Sequence, residues 1–237
     1  MLEAVNLHLQ EKGVRIRTGT IVDATIIDAP SSSKNREQQR DPEIHQTKKG
    51  KDWYFGMKAQ VGVDSKNKII HSSVVTPTNV ADSAVLPELL HGEETRVWAT
   101  GAIRGKTEII HQHAPRARDC TQRRCRYKGR VDEVEGARNR TKSRVLSRVE
   151  HVFGVRKLSS GFVKVRYRGL RKNANRRFAT CALVNLYMVR KKLLVRALAS
   201  TAAYRLLRHR SEGRDRGKPL SAPSNTANRP ALPKGST

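Results

Sequence analysis

Two carboxylates stand inside otherwise apolar stretches of this 237-residue sequence, and they are the side chains best placed to do chemistry. Glu150 is the last acidic residue before Glu212, and sixteen lysines and arginines lie in the sixty-one residues between them. Asp23 interrupts the β-branched run TIVDATII. A carboxylate beside an apolar core and within a positive field requires a partner.

Each carboxylate has two interpretations that the residues alone leave open. Glu150 either pairs with a neighbouring arginine such as Arg148 or binds a divalent metal over a nucleic-acid phosphate. Asp23 is either a strand-end residue that is bonded to a nearby backbone amide or a catalytic group.

The segment around Glu150 is predicted to be an amphipathic helix. Apolar residues recur there at helical spacing, at Val145, Val149, Val152 and Phe153. Leu146, Phe153 and Lys157 share a face with Glu150 on such a helix. This places the Glu150 carboxylate at the edge of the buried stripe.

The sequence before this helix favours a sheet. A strand is predicted at Asp23, between Gly19 and Pro30, and a long polar loop over 31–51. The segments WYFGMKAQVGVD and KIIHSSVVTPTN are predicted to form an antiparallel hairpin around the turn SKNK, with Asp64 as a turn residue.

A short or irregular helix is predicted over SAVLPELL because Pro87 lies inside it, with Asn79 or Asp82 as its cap. RVWATGAIRG is the next strand candidate.

The second half of the chain is dominated by positive charge. Residues 116–148 hold twelve lysines and arginines against four acidic residues. This favours a basic segment that lies on nucleic acid rather than packing in the core, which we call the basic excursion. NANRRFATCALVNLYMVRKKLL is predicted to be a core helix with a basic end, and the proline-containing residues 211–237 to be disordered.

The overall charge bounds the kind of partner. Forty-eight lysines and arginines against twenty-one acidic residues leave a net charge of +27, which favours phosphate backbones. The longest uncharged apolar run, Phe178–Val189, is too short to span a bilayer, so no membrane partner is predicted. Three cysteines, an odd number, argue against a disulfide framework and for a reducing cytoplasm.

Several motifs together resemble the DDE transposases of bacterial insertion sequences, most closely the "insertion sequence five" branch. The motifs are TIVDATII, DPEIHQTKKGKDWYFGMKAQVGVD, NVAD, LLHGEE, RVEHVFG and KVRYRGL. The resemblance as a whole covers roughly residues 19–194. The resemblance implies an α/β fold, an RNase H-like mixed sheet of about five strands flanked by helices. It also implies three carboxylates that hold Mg²⁺ or Mn²⁺ for attack on DNA phosphodiesters.

The resemblance assigns roles to individual positions. Asp23 falls on the first catalytic Asp of the family and Glu150 on its Glu, and these two are the expected metal ligands. Thr100, in the run VWATGAIRG, stands where the second Asp belongs. Leu146 replaces the Arg of the family's Tyr, Arg, Glu, Lys signature and Ser143 its Tyr. The expected DNA-binding residues are Lys157, Arg148, Lys164, Arg166, Tyr167 and Arg168.

The combined expectation is a transposase copy that is truncated and defective. Residues 1–18 are predicted to be a remnant of an N-terminal helical region, 19–195 the catalytic core with a basic excursion at about 112–142, and 196–237 a basic helix and disordered tail. The expected partner is DNA, at insertion-sequence ends and target, in the nucleoid-associated cytoplasm; a homodimer is left open. The competing interpretation is a non-catalytic basic protein that binds DNA or RNA.

Overall fold

The structure is a computed structural model that describes the backbone of residues 1–215, except 15, 17, 31, 35, 101–102, 104 and 161–163. Side chains are described outside these positions, 156–160 and 199–215. Disorder was predicted for residues 211–237; residues 211–215 are helical, and residues 216–237 lie outside the described residues. Contacts divide the chain into two units, Met1–Lys191 and Lys192–Thr237.

The strands are β1 (Gly19–Asp28), β2 (His45–Lys49), β3 (Asp52–Asp64), β4 (Ile70–Pro77), β5 (Arg96–Ala99), β6 (Arg118–Asp119), β7 (Arg126–Tyr127) and β8 (Arg130–Val131). The helices are α1 (Leu2–Glu11), α2 (Leu86–Leu89), α3 (Thr107–His113), α4 (Glu133–Ser160) and α5 (Leu170–Asp215), with a 3₁₀ turn at Asp82–Val85.

The predicted α/β mixed sheet, flanked by helices, is confirmed. The strand order is β2-β3-β1-β5-β6, with β4 also paired to β3, so β1 lies at the centre. β1 is antiparallel to β3 and parallel to β5. The predicted hairpin is confirmed as β3 and β4, and the Asp64 carboxylate accepts the amides of Lys66 and Asn67 in its turn.

The two faces of the sheet bury different apolar clusters, because side chains alternate along each strand. Ile21 and Val61 pack on one face with residues of α4 and α5, among them Val149 and Val184. The other face buries Val22, Val85, Leu86, Leu89, Val97, Ala99 and Ile110. The sheet is therefore covered on both sides at the first half of β1, and the residues that follow from Asp23 to Ile26 are partly exposed.

Two elements form where the sequence predicted a loop and a basic excursion. β2 lies inside the predicted loop 31–51; its sequence HQTKK has no apolar residue, and its order comes from pairing with β3. α4 begins at Glu133, inside the predicted excursion, where the Asp132 carboxylate accepts the amide of Glu135 at 2.9 Å. This Asp-x-x-Glu pattern is a helix-start signal.

The short helix predicted around Pro87 is confirmed as a 3₁₀ turn followed by the four-residue helix α2. The predicted cap is wrong, since neither helix start has a side-chain cap and the N-cap positions are Ala81 and Val85. None of the helices within the described residues is long and apolar enough to cross a membrane.

Candidate active site

Asp23 lies on the central strand β1, opposite Val61 of β3. Its Oδ1 accepts the backbone amide of Ala24 at 2.9 Å, so the amide contact considered from sequence does exist. That contact does not offset the cost of burial, which raises the pKa of Asp23 from 3.8 to about 6. The negative charges of Asp82 and Glu150 raise the pKa further, and the positive charge of Lys49 lowers it.

Glu150 lies on α4, the helix that packs on the Asp23 side of the sheet. Its neighbours Leu146, Val149 and Phe153 are buried as the helical spacing predicted, but the Glu150 side chain is exposed rather than half-buried. Arg148 is not its ion-pair partner: the Arg148 guanidinium donates to the carbonyl of Ser65. The exposed carboxylate is therefore available to a cation, and its charge acts on Asp23 across the site.

Thr100 follows directly after the last residue of β5. Ala99 pairs with Val22 in the parallel β1–β5 ladder. Thr100 follows Ala99 and Asp23 follows Val22, so these two residues come directly after the last pair of the ladder. Thr100 is partly buried, and its carbonyl accepts the amide of Ile103 at 3.2 Å. A neutral hydroxyl residue thus stands next to Asp23 at the carboxyl end of the parallel pair.

The charge of Asp82 acts on Asp23 but is already paired. The ammonium of Lys58, on β3, lies 3.0 Å from the Asp82 carboxylate and also donates to the carbonyl of Val80 at 2.7 Å. The sequence analysis did not assign a role to Lys58 or Lys49. The only signal for Lys58 was a lysine inside an apolar strand, and its pairing with Asp82 depends on a contact across 24 positions of sequence.

The donor set partly fits a hard divalent ion. Across the described residues, no three His, Cys, Asp or Glu side chains are grouped so that they can hold a metal. Asp23 and Glu150 offer oxygen ligands, and a carboxyl group with a raised pKa is one that a bound cation would stabilise in its ionised form. Asp23 and Glu150 therefore supply the type of ligand that Mg²⁺ or Mn²⁺ prefers, with one charge fewer than three carboxylates provide.

The predicted DNA-binding residues fall into three groups. Arg148 is exposed on α4, and the Lys157 side chain lies outside the described residues. Lys164, Arg166 and Tyr167 are exposed between α4 and α5. Arg168 forms an ion pair with Glu37, so its charge is already partly neutralised.

The segment 164–170 is held beside the end of β1. The backbone of Lys164 forms an isolated parallel β-bridge with Asp28, the last residue of β1. The Val165 amide donates to the Asp28 carbonyl at 2.9 Å. The buried Asn173 accepts the amides of Arg166 and Tyr167 at 3.3 Å and donates to the carbonyl of Tyr167 at 2.6 Å. Exposed basic and aromatic side chains are thereby presented at one end of the central strand.

A partly buried acidic residue on a central strand, a parallel strand that ends beside it and a facing helix with a second carboxylate are typical of RNase H-like enzymes of phosphodiester chemistry. The sequence matches the family described as "Transposase DDE domain" over residues 15–186, and the chain belongs to that family. No solved structure matches the chain at a significant level.

Proposed function

We propose that this domain is built for metal-dependent cleavage and joining of DNA at the ends of an insertion sequence of the "insertion sequence five" branch, and that this copy is defective. The observation that carries the proposal is the placement of Thr100 beside Asp23, directly after the end of β5, the strand that runs parallel to β1. Membership of the transposase family supports the reaction, and Thr100 supports the loss of activity.

The proposed roles follow from the charges. Asp23 and Glu150 would hold a divalent ion, and the chemistry supplied by such an ion would be polarisation of the phosphoryl oxygen and activation of the attacking water or 3′-hydroxyl. Lys157, Arg148, Lys164 and Arg166 contact the DNA backbone. Tyr167, exposed in the same segment as Arg166, lies against sugar or base.

The proposed defect is electrostatic. Thr100 offers a neutral hydroxyl where a carboxylate would add a full negative charge, and hydroxyls are weaker ligands for hard cations. Misplacement of a reacting group by about an ångström can cost on the order of 10²-fold in rate. Leu146, at the signature's Arg position, is buried in the core and cannot contact phosphate. We therefore expect DNA binding to survive better than cleavage.

A nicking assay on supercoiled plasmid with Mn²⁺ tests this proposal. The unmodified chain is expected to nick weakly or not at all, and Thr100→Asp to gain measurable nicking because it restores the third carboxylate. The control is Glu150→Gln in the Thr100→Asp background, which should remove the gained activity. Efficient nicking by the unmodified chain that Glu150→Gln abolishes would show that another carboxylate, Asp82 or Glu108, replaces the missing ligand.

The second candidate function is non-catalytic binding of DNA or RNA, which the net charge of +27 and Thr100 favour. Thermal unfolding with Mn²⁺ separates the two. A site of two carboxylates should give a small upward shift in Tm that Asp23→Asn removes, and a plain basic protein should give none.

Three further predictions belong to this proposal and await their own tests. We place the catalytic core at residues 19–195, before a basic C-terminal segment at 196–237. We expect insertion-sequence ends and target DNA as partners in the nucleoid-associated cytoplasm. A homodimer is the oligomer to look for by light scattering.

A further inference from the structure

The hairpin of β2 and β3 extends beyond the central strand. β1 pairs with β3 as far as Gly56, opposite Asp28, and the Ala29 amide still donates to the Phe55 carbonyl, so residues 52–54 are paired with β2 alone. The turn at its end is formed by Gly50, whose φ of 67° suits glycine, and by Lys51. We call residues 48–53, Lys-Lys-Gly-Lys-Asp-Trp, the ribbon tip.

The ribbon tip carries an exposed indole between lysines. Trp53 is 64% exposed, and the ammonium of its cross-strand partner Lys48 lies 5.8 Å from the ring centroid. Lys49 and Lys51 are also exposed, against a single acidic residue, Asp52. The ring therefore has surface left for a second planar group, within a positively charged surround.

Protection of an edge strand explains only part of this arrangement. Lysines on an exposed edge discourage pairing with another chain, and β2 is such an edge. An exposed tryptophan works against that purpose, because it adds apolar surface at the same place. A basic surround with an exposed aromatic ring is instead what proteins present to a nucleic-acid strand, with bases stacked on the ring.

The ribbon tip projects past the end of β1. β1 and β3 are paired as far as Asp28 and Gly56, and Lys164 and Val165 are held beside that same Asp28. The tip therefore extends from the end of β1 at which Lys164, Arg166 and Tyr167 are also exposed.

We propose that the ribbon tip is a clamp for a DNA strand at this end of β1, in which Trp53 stacks on an unpaired base and Lys48, Lys49 and Lys51 contact the flanking phosphates. The bases of an intact duplex are stacked on one another and do not offer a face, so the occupant is a strand end or a locally unpaired base. The clamp rests on the proposed function for the identity of the site, and the charge complementarity selects DNA as its occupant.

The two tryptophans of the chain allow a direct test. Trp98 is partly buried and packs against the core, so Trp98→Phe leaves Trp53 as the only indole emitter. We expect the emission of this variant to be quenched by a duplex with an unpaired 3′ overhang and much less by a blunt duplex. Equal quenching by polyglutamate, which has no bases to stack, would overturn the proposal.

Fluorescence anisotropy with labelled DNA measures the contribution to affinity. Trp53→Ala should weaken binding of the overhang duplex on the order of 10-fold and leave the blunt duplex nearly unchanged. The matched control is Tyr187→Ala on α5, an aromatic residue that is 42% exposed and lies under the guanidinium of Arg190 at 3.7 Å. This control should change neither affinity, and circular dichroism checks that both variants are folded.

The outcomes separate the clamp from the proposed function. Unchanged overhang binding by Trp53→Ala, together with unchanged Trp53 emission, overturns the clamp even if Thr100→Asp gains nicking. Trp53-dependent binding without any response to Mn²⁺ supports the clamp and overturns the metal-dependent function. Absence of DNA binding by the unmodified chain overturns both.

Discussion

At the scale of single residues, Asp23 is a carboxyl group that the folded protein disfavours in its ionised form. Burial raises its pKa from 3.8 to about 6, and the charges of Asp82 and Glu150 act in the same direction. A group whose pKa is higher in the folded state than in the unfolded state adds stability below the unfolded value, and this stability is lost as the pH rises through the folded value. Above about pH 6, Asp23 therefore reduces the free energy of unfolding.

Asp23→Asn should stabilise the apo protein at pH 7.5 and leave it nearly unchanged at pH 4. The rise in the pKa of Asp23 from 3.8 to about 6 corresponds to roughly 3 kcal/mol at most. Urea unfolding at the two pH values measures the difference between the variant and the unmodified chain. Asp28→Asn, at the exposed end of the same strand, is the matched control for loss of a charge. A larger gain at pH 4 than at pH 7.5 would contradict the assignment.

Arg177 is a second residue whose charge is costly. It is 1% exposed, and its Nε, Nη1 and Nη2 atoms make no hydrogen bond to any described residue. Burial lowers the pKa of this guanidinium. The loss of water around these donors is costly because no hydrogen bond replaces it.

Arg177→Met should therefore raise the free energy of unfolding, by about 1 kcal/mol or more, because it replaces an unpaired buried charge with an apolar side chain of similar length. Arg171→Met, at an exposed position of α5, is the control and should have little effect. The measurement is urea unfolding monitored by circular dichroism. A loss of stability in Arg177→Met would show that the guanidinium has an anionic partner in the folded protein.

At the scale of elements, the sequence predicts what its own local pattern determines. β-Branched residues in β1, β3 and β4 and the helical spacing around Val149 were sufficient for the sheet and the second half of α4. β2 could not be predicted in this way, because HQTKK has no apolar residue and forms a strand only by pairing with β3. The start of α4 had a local signal in Asp132 and Glu135 that the high density of charge obscured.

The residues of the candidate site also differ in whether a local sequence pattern reveals them. Asp23, Thr100 and Glu150 were found because each has a recognisable position in a motif, and the strand register explains why Thr100 adjoins Asp23. The pairing of Asp82 with Lys58 and the influence of Lys49 on Asp23 depend on how the sheet brings distant segments together. The sequence alone contains no pattern that specifies those contacts.

The connection between α4 and α5 depends on one buried amide, and this gives a prediction at the element scale. Asn173 is fully buried and donates to the carbonyls of Tyr167 and Gly169 at 2.6 and 2.7 Å. Asn173→Ala should lower the free energy of unfolding by about 1–3 kcal/mol, because it leaves these carbonyls and two amides without a partner.

The same variant should bind DNA more weakly, because the segment that presents Lys164, Arg166 and Tyr167 loses its anchor. Asn173→Asp is the informative comparison, since it retains the acceptor for the amides, loses the donors and places a carboxylate against the two carbonyls. Thermal unfolding and DNA anisotropy measured on both variants test the idea. Unchanged DNA affinity in a destabilised Asn173→Ala would show that this segment does not contact DNA.

At the scale of the whole molecule, the charge of +27 is a property that no single element explains. Like charges on a folded chain repel one another, and this repulsion destabilises the compact state at low ionic strength. A polyanion relieves the repulsion by neutralising several lysines and arginines at once. Binding of a nucleic acid is therefore favoured by the composition itself, independently of whether the active site is functional.

The affinity for duplex DNA should consequently depend steeply on salt and little on sequence. If roughly 6–10 phosphates are neutralised, the affinity should fall on the order of 10³-fold or more between about 50 and 200 mM salt, because each neutralised phosphate releases condensed counterions. Anisotropy titrations at several salt concentrations give the slope of log affinity against log salt.

For an overhang duplex, the double variant Lys48→Gln, Lys51→Gln should reduce the magnitude of that slope by about one for each lost phosphate contact. Trp53→Ala should lower the affinity without changing the slope. A shallow slope for the unmodified chain would mean that its positive charge does not serve a phosphate backbone, and equal slopes in all variants would mean that the ribbon tip does not contact phosphate.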